Sequence, residues 1–225
     1  MISTNTAATY LNIFRSLLKI AYRNKLLRED LSPSIGKIRL QESRVEYLTQ
    51  SELIQLAHTP CDIPVLKNAS LFSCLTGLRY SDISQLTWKD IAPSADGKGY
   101  DLRIKTQKTE KELTLPLGND ALRLCGAPGI GLVFPGLDRN ITHHRLKQWL
   151  QSAGIKKKIT FHSFRHTFAV LQIAAGASIY TVSRMLGHKH VASTERYADL
   201  VDSIKRETIK NIQLNTKTNN NVACK

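Results

Sequence analysis

The residues of this chain best suited to chemistry lie in its last third. In Phe161-His-Ser-Phe-Arg165-His, the residues His162 and Arg165 are three apart and share one face of a helix, with Phe164, Phe168 and Leu171 on the other. That arrangement buries the aromatics and presents an imidazole beside a guanidinium, a fork able to hold two oxygens of one phosphate. Leu186-Gly-His188 closes the next helix, and Tyr197 follows nine residues later, after Thr194-Glu-Arg; upstream stand Thr76-Gly-Leu-Arg79 and the hairpin residue Lys108. Taken singly, an arginine after a glycine is more often an ion-paired or surface residue, and a lone tyrosine more often a packing residue. His162 and His166, four apart, resemble a zinc pair, but Ser163 stands where H-E-x-x-H has its Glu and the surrounding window has no carboxylate, so no metal site is expected. His166 reads as a helix-packing histidine, and His143 and His144 as exposed ones.

The elements that must position these residues are legible from periodicity. Between residues 6 and 28, Leu11, Phe14, Leu17, Leu18 and Ala21 recur at steps of three and four, which predicts an amphipathic helix with a buried face, stopped by Asp30-Leu-Ser-Pro33. The polar stretch to Tyr47, interrupted by Pro33 and Gly36, reads as a linker. One helix cannot form a domain, so the beginning of the chain reads as the end of something larger. Thr49-Gln-Ser-Glu52 is a capping-box pattern, and Val65 to Leu75 predicts a helix ending at Gly77. Leu78, Ile83 and Leu86 predict a short helix with Arg79 near its first turn. Asp96-Gly97 marks a hairpin-type turn, and Tyr100 to Lys105 and Glu112 to Leu117 alternate as half-buried strands do. After Pro135-Gly136 the pattern is helical, broken at Gly154, Gly176 and Gly187. The order of helices, small sheet, helices argues for α+β and against a parallel nucleotide-binding sheet.

The net charge of +14 points to an anionic partner. Between Asp138 and Glu195 there is no acidic residue, yet nine Lys or Arg and six of the seven histidines fall there, unlike a solvated face of mixed sign. An anionic membrane fits less well, because no helix pairs a basic face with a continuous Trp, Phe and Leu face. No run of apolar residues approaches the ~18 needed to span a bilayer, and no secretory signal is visible, so a cytoplasmic location is expected. Cys61, Cys74, Cys125 and Cys224 show no C-x-x-C spacing and are read as reduced thiols.

Together these residues resemble the tyrosine recombinase (phage integrase) family, whose pattern is Arg, Lys, His-x-x-Arg, His and Tyr in that order. T-G-L-R, S-D-I, L-T-W and D-I match its first arginine block; K-x-x-K-E with L-P-L, from Lys108 to Leu117, matches its hairpin; H-S-F-R-H-T-F-A and L-G-H complete it. The resemblance covers about residues 48 to 205. It implies catalytic roles for Arg79, Lys108, His162, Arg165, His188 and Tyr197, with Lys111 competing for the lysine role. It also implies a mainly helical catalytic domain over 48–205 with a small antiparallel three-stranded sheet. Residues 1–47 would be the remnant of a truncated, helical, SAM-like core-binding domain and its linker. Residues 206–225 would be a tail docking on a neighbouring subunit, with the apolar pattern Ile204, Ile209, Ile212 and Leu214 of an amphipathic helix beginning just before it.

The chemistry implied is cleavage and rejoining of DNA through a 3′-phosphotyrosine bond. Two arginines would clamp the charged non-bridging oxygens with His162 and His188 as added donors, Tyr197 would attack, and Lys108 would protonate the leaving 5′-oxygen. No metal or other cofactor is needed, because these side chains meet the charge of the transition state, and no ATP, because the phosphotyrosine conserves the energy of the broken ester. The expected partners are double-stranded DNA and, on DNA, three further copies of a chain monomeric in isolation, in a nucleoid-associated enzyme with no membrane role. Lys156, Lys157 and Lys158, Arg145 and His190 are expected DNA contacts. A DNA-binding remnant without cleavage and a type IB topoisomerase are the competing readings. The complete six-residue set argues against the first, and the L-G-H motif and short chain against the second.

Overall fold

A computed structural model describes residues 2–41, 45–108, 110, 112–198 and 200–201. Lys111, the tail after Val201 and Cys224 lie outside these residues. The chain divides into two compact units, Met1–Arg44 and a second beginning at Val45.

The first unit holds one helix, α1 (Thr4–Arg23), capped by the Ser3 hydroxyl, which accepts from the Thr6 amide. It ends five residues before the predicted Arg28. Lys25 turns left-handed at φ 59°, its amide bonding the Tyr22 carbonyl and the Leu26 amide that of Ala21. These two bonds form a Schellman closure, which satisfies the last carbonyls without a glycine. The expected buried face is also corrected: Ala8 is buried, but Phe14 and Leu17 are half exposed, as are Ile13 and Ile20. The linker folds back instead through polar bonds, with Asn5 exchanging two hydrogen bonds with the Gln41 backbone and Arg15 Nε donating to the Ser32 carbonyl.

The second unit begins with α2 (Gln50–His58), opened by the predicted capping box of Thr49 and Glu52. Then come α3 (Pro64–Thr76) and a single helical turn, α4 (Tyr80–Ile83). Strands β1 (Ile91–Pro93), β2 (Tyr100–Lys105) and β3 (Glu112–Leu117) form an antiparallel sheet in sequence order. Leu102 pairs with Leu115 across β2 and β3, and Leu113, Leu115 and Leu117 all turn to the core, as strict alternation requires. Helices α5 (Asn119–Cys125), α6 (Leu146–Ser152), α7 (Phe161–Ala174), α8 (Ile179–Met185) and α9 (Ala192–Ala198) complete the described elements. A wide helical turn over Ile141–Arg145 leads into α6.

Helix α7 is the spine. Phe161 and Phe164 join Phe72 of α3, Trp149 of α6 and the sheet leucines in one apolar cluster. Phe168, Ala169 and Ile173 join Val182 of α8, Leu186 just after it and Tyr197 of α9 in another. Each fully buried large side chain contributes about 1.5–3 kcal/mol by leaving water. The polar run Arg165-His166-Thr167 falls at the seam between the two clusters, and Thr167 Oγ1 accepts from the buried Leu48 amide at 2.9 Å.

Candidate active site

Helix α7 starts where the Ser163 hydroxyl folds back to accept from the Thr160 amide at 3.1 Å, which puts His162 and Arg165 in its first two turns. His162 is exposed at the helix entrance. Arg165 is almost wholly buried, 2% exposed, and its guanidinium donates to the Gly77 carbonyl at 2.7 Å and to the Leu186 carbonyl at 2.6 Å. The open phosphate fork expected from the sequence is therefore corrected: two of its five N–H groups already bind backbone. Those carbonyls lie two residues before Arg79 and two before His188, so one buried cation ties together the segments carrying three of the six expected residues.

Glycine is required at position 77. Its φ is +70°, and a β-carbon there would stand 2.5 Å from the Phe168 ring. Arg79 follows as the N-cap of α4, and its buried Nη1 has no hydrogen-bond partner among the described residues. Asp82 of α4 is buried and accepts from the Gln107 amide at 2.9 Å, fastening the β2–β3 turn on which exposed Lys108 stands. His188 follows Gly187 at φ +61° and its Nδ1 lies 2.7 Å from the Thr194 hydroxyl. Tyr197 is 2% exposed, its ring lies 5.3 Å from the Arg196 guanidinium, and its hydroxyl is 2.7 Å from Nδ1 of His166.

His166 is thus not a mere packing residue. It is buried, its ring sits edge-on to His162 with centroids 4.5 Å apart, and it touches the tyrosine expected to act as nucleophile. The sequence held a signal for it, since His162 and His166 four apart share a helix face. Asp82 carried no comparable signal, because its partner is 25 residues away on the hairpin.

The electrostatics follow from crowded cations. Although its side chain is exposed at the helix entrance, the His162 imidazole is pushed down to about 4 by partial desolvation and then by the charges of Arg165, Arg79, Arg196 and Lys108. Burial and the Arg165 and Arg79 charges bring His188 to about 4. His166 falls to about 3, through burial and then His162, Arg196, Arg165 and His188. Burial and Arg79 lower Arg165 to about 9, partly offset by Tyr197 and Asp82, and it remains a cation at neutral pH. Three neutral imidazoles and a set of fixed cations make a site that an anion would complete, since a negative charge there would raise the imidazoles again.

The expected DNA contacts are dispersed. Lys156 and Lys158 are exposed beside a 750 Å³ cavity also lined by His143 and Lys147. Lys157 turns inward: its ammonium lies 2.6 Å from the Glu52 carboxylate and 3.1 Å from the Tyr47 carbonyl, which corrects its reading as a phosphate contact. Arg145 is exposed and lines a separate small cavity with Cys61 and Trp149, while His190 is exposed in the loop before α9. His143 and His144 are exposed as expected. No helix among the described residues is long and apolar enough to cross a membrane.

Residues 46–203 match the phage integrase family. The chain is 29% identical over 214 residues to tyrosine recombinase XerD of Proteus mirabilis, covering 85% of this chain and 67% of that one. The fold is shared with the catalytic domain of bacteriophage HP1 integrase, with a TM-score of 0.58 and 22% identity over 74% of this chain and 95% of that one. It is also shared with a lambda integrase (75–356) dimer bound to a COC′ core site, with a TM-score of 0.65 and 20% identity over 87% and 79%.

Proposed function

The chain belongs to the phage integrase family, and from that premise we propose that it is a site-specific DNA recombinase that cleaves and rejoins strands through a 3′-phosphotyrosine bond to Tyr197. The observation that carries this reading is the bracing of the site by Arg165, whose bonds to the Gly77 and Leu186 carbonyls tie the segments that carry Arg79 and His188 to α7. The unpaired Nη1 of Arg79 and the remaining N–H groups of Arg165 supply donors for the non-bridging oxygens. The Tyr197 hydroxyl gives its proton to a neutral imidazole of the site, His162 or His188, as its oxygen attacks phosphorus; the bond to the 5′-oxygen breaks, and the departing oxygen takes a proton from Lys108. Attack by the 5′-hydroxyl of another strand reverses these steps and frees the phenol. The energy of the ester is conserved in the phosphotyrosine, so no ATP enters the balance.

Duplex DNA is the proposed partner, with four copies of the chain on it, and Lys156, Lys158, Arg145 and His190 as contacts outside the site. Residues 1–47 are proposed to belong to a core-binding region and 48–205 to be the catalytic domain. The test is incubation with a nicked duplex from which the cleaved fragment diffuses away. A covalent adduct, retained in EDTA and absent in Tyr197→Phe, is expected. Binding without an adduct would leave a DNA-binding protein, and relaxation of supercoils without partner exchange would make it a topoisomerase.

A further inference from the structure

We infer that His166 is a positioning residue for the nucleophile: its Nδ1 accepts a hydrogen bond from the Tyr197 hydroxyl and fixes the phenolic oxygen beside Arg165. This inference rests on the proposed role of Tyr197 and adds a residue to it. Four observations carry it. The two atoms are 2.7 Å apart, across 31 residues of sequence, so only the fold brings them together. His166 is 8% exposed, and an imidazole taken out of water costs stability unless its nitrogens are used, whereas packing alone would be served by a leucine.

Helix α9, at seven residues, is too short to be stable by its own backbone bonds and must be held by its surroundings. It hangs on two imidazole–hydroxyl bonds three residues apart on one face, His188 to Thr194 and His166 to Tyr197. The first sets where α9 lies, and the second sets the direction of the phenol. The fourth observation is charge. Burial, and then the charges of His162, Arg196, Arg165 and His188, push the His166 imidazole down to about 3 in the free protein, which favours the neutral ring that can accept from the phenol. A neutral imidazole that accepts this bond orients the hydroxyl, which is the role assigned to His166.

Two variants separate the directional bond from mere filling of space. His166→Leu fills the site without an acceptor, and His166→Asn restores an oxygen near the position of Nδ1. In the free protein labelled with ¹³C at the tyrosine ζ-carbon, the Tyr197 resonance, identified by its loss in Tyr197→Phe, should shift in His166→Leu and return towards its original position in His166→Asn. On nicked duplex under single-turnover conditions, with DNA saturating, His166→Leu should cleave slower by on the order of 10²-fold, the penalty of a nucleophile misplaced by about 1 Å, with unchanged DNA affinity. His166→Asn should recover most of that rate.

An unmoved Tyr197 resonance in His166→Leu overturns the bond. A moved resonance with unchanged or faster cleavage, or no recovery in His166→Asn, overturns the positioning role; faster cleavage would mean that the bond restrains the tyrosine instead. Failure of the proposed function looks different: the wild-type protein would form no adduct, or form it on another residue, and that too would remove the role while the resonance would still report the bond.

Discussion

Arg165 is the residue whose chemistry sequence and structure describe differently. Its type and its spacing from His162 announce phosphate, yet two of its N–H groups brace the Gly77 and Leu186 carbonyls. A lysine cannot reach both carbonyls and a phosphate, so Arg165→Lys should lose stability as well as chemistry. A buried carbonyl left without a donor costs about 1–3 kcal/mol, and loss of a clamp donor slows cleavage by roughly 10²-fold or more. Urea unfolding and adduct yield together check this; a variant of native stability and normal yield contradicts it. The imidazoles make a second prediction. His162, His166 and His188 all lie below the ordinary 6.5, at about 4, 3 and 4. The unfolded chain therefore binds more protons than the folded one in that interval, and stability is full above pH 6.5 and falls as pH drops towards 4. Urea midpoints at pH 7.5, 6 and 5 should decline in that order, and a flat series would contradict the burial of His166 and the crowding of cations around the three rings. The six expected residues were legible as types in order. For His166, local spacing placed it on the face of His162, but its bond to Tyr197, 31 positions away, depends on the tertiary fold.

At the scale of elements, periodicity and turn chemistry located most of what positions the site. Strands β2 and β3 begin and end where alternation places them, and Gly77, Gly154, Gly176 and Gly187 all turn left-handed at the ends of helices. Gly77 does more than end α3, since its missing β-carbon makes room for Phe168 and its carbonyl holds Arg165. Gly77→Ala should therefore destabilise by at least about 2 kcal/mol, from a strained φ and overpacking together, whereas Gly97→Ala, with open space around it, should suffer only the strain. Equal losses in the two variants would contradict the packing argument. The end of α1 was misplaced because a lysine at a left-handed position gives no glycine signal. The hairpin carries the lysine assignment. If Lys108 protonates the leaving oxygen, a 5′-bridging phosphorothiolate, whose thiolate departs unaided, should rescue Lys108→Ala far more than Arg165→Ala. Rescue of Lys111→Ala instead would move the role one K-x-x-K step along the hairpin.

For the whole molecule, the charge of +14 and the acid-free window forecast an anionic partner, but composition alone could not sort lysines that face solvent from those engaged within the fold. Lys157 is the example, paired with Glu52 while its neighbours are exposed. Affinity for duplex DNA should fall steeply as salt rises, and Lys156→Ala and Lys158→Ala should each reduce the logarithmic salt slope by about 1. Lys157→Ala should leave the slope unchanged and lower stability instead; anisotropy titrations at several salt concentrations distinguish these outcomes. The central claim, that this fold joins itself to DNA through one tyrosine, is tested most directly by isolating the adduct formed on a nicked duplex in EDTA, digesting it and mapping the nucleotide-bearing peptide by mass spectrometry. The account predicts a single modified residue, Tyr197, carrying a 3′-phosphate. A modification on Tyr180 or any other residue, or no adduct from a protein that binds the duplex, would contradict it.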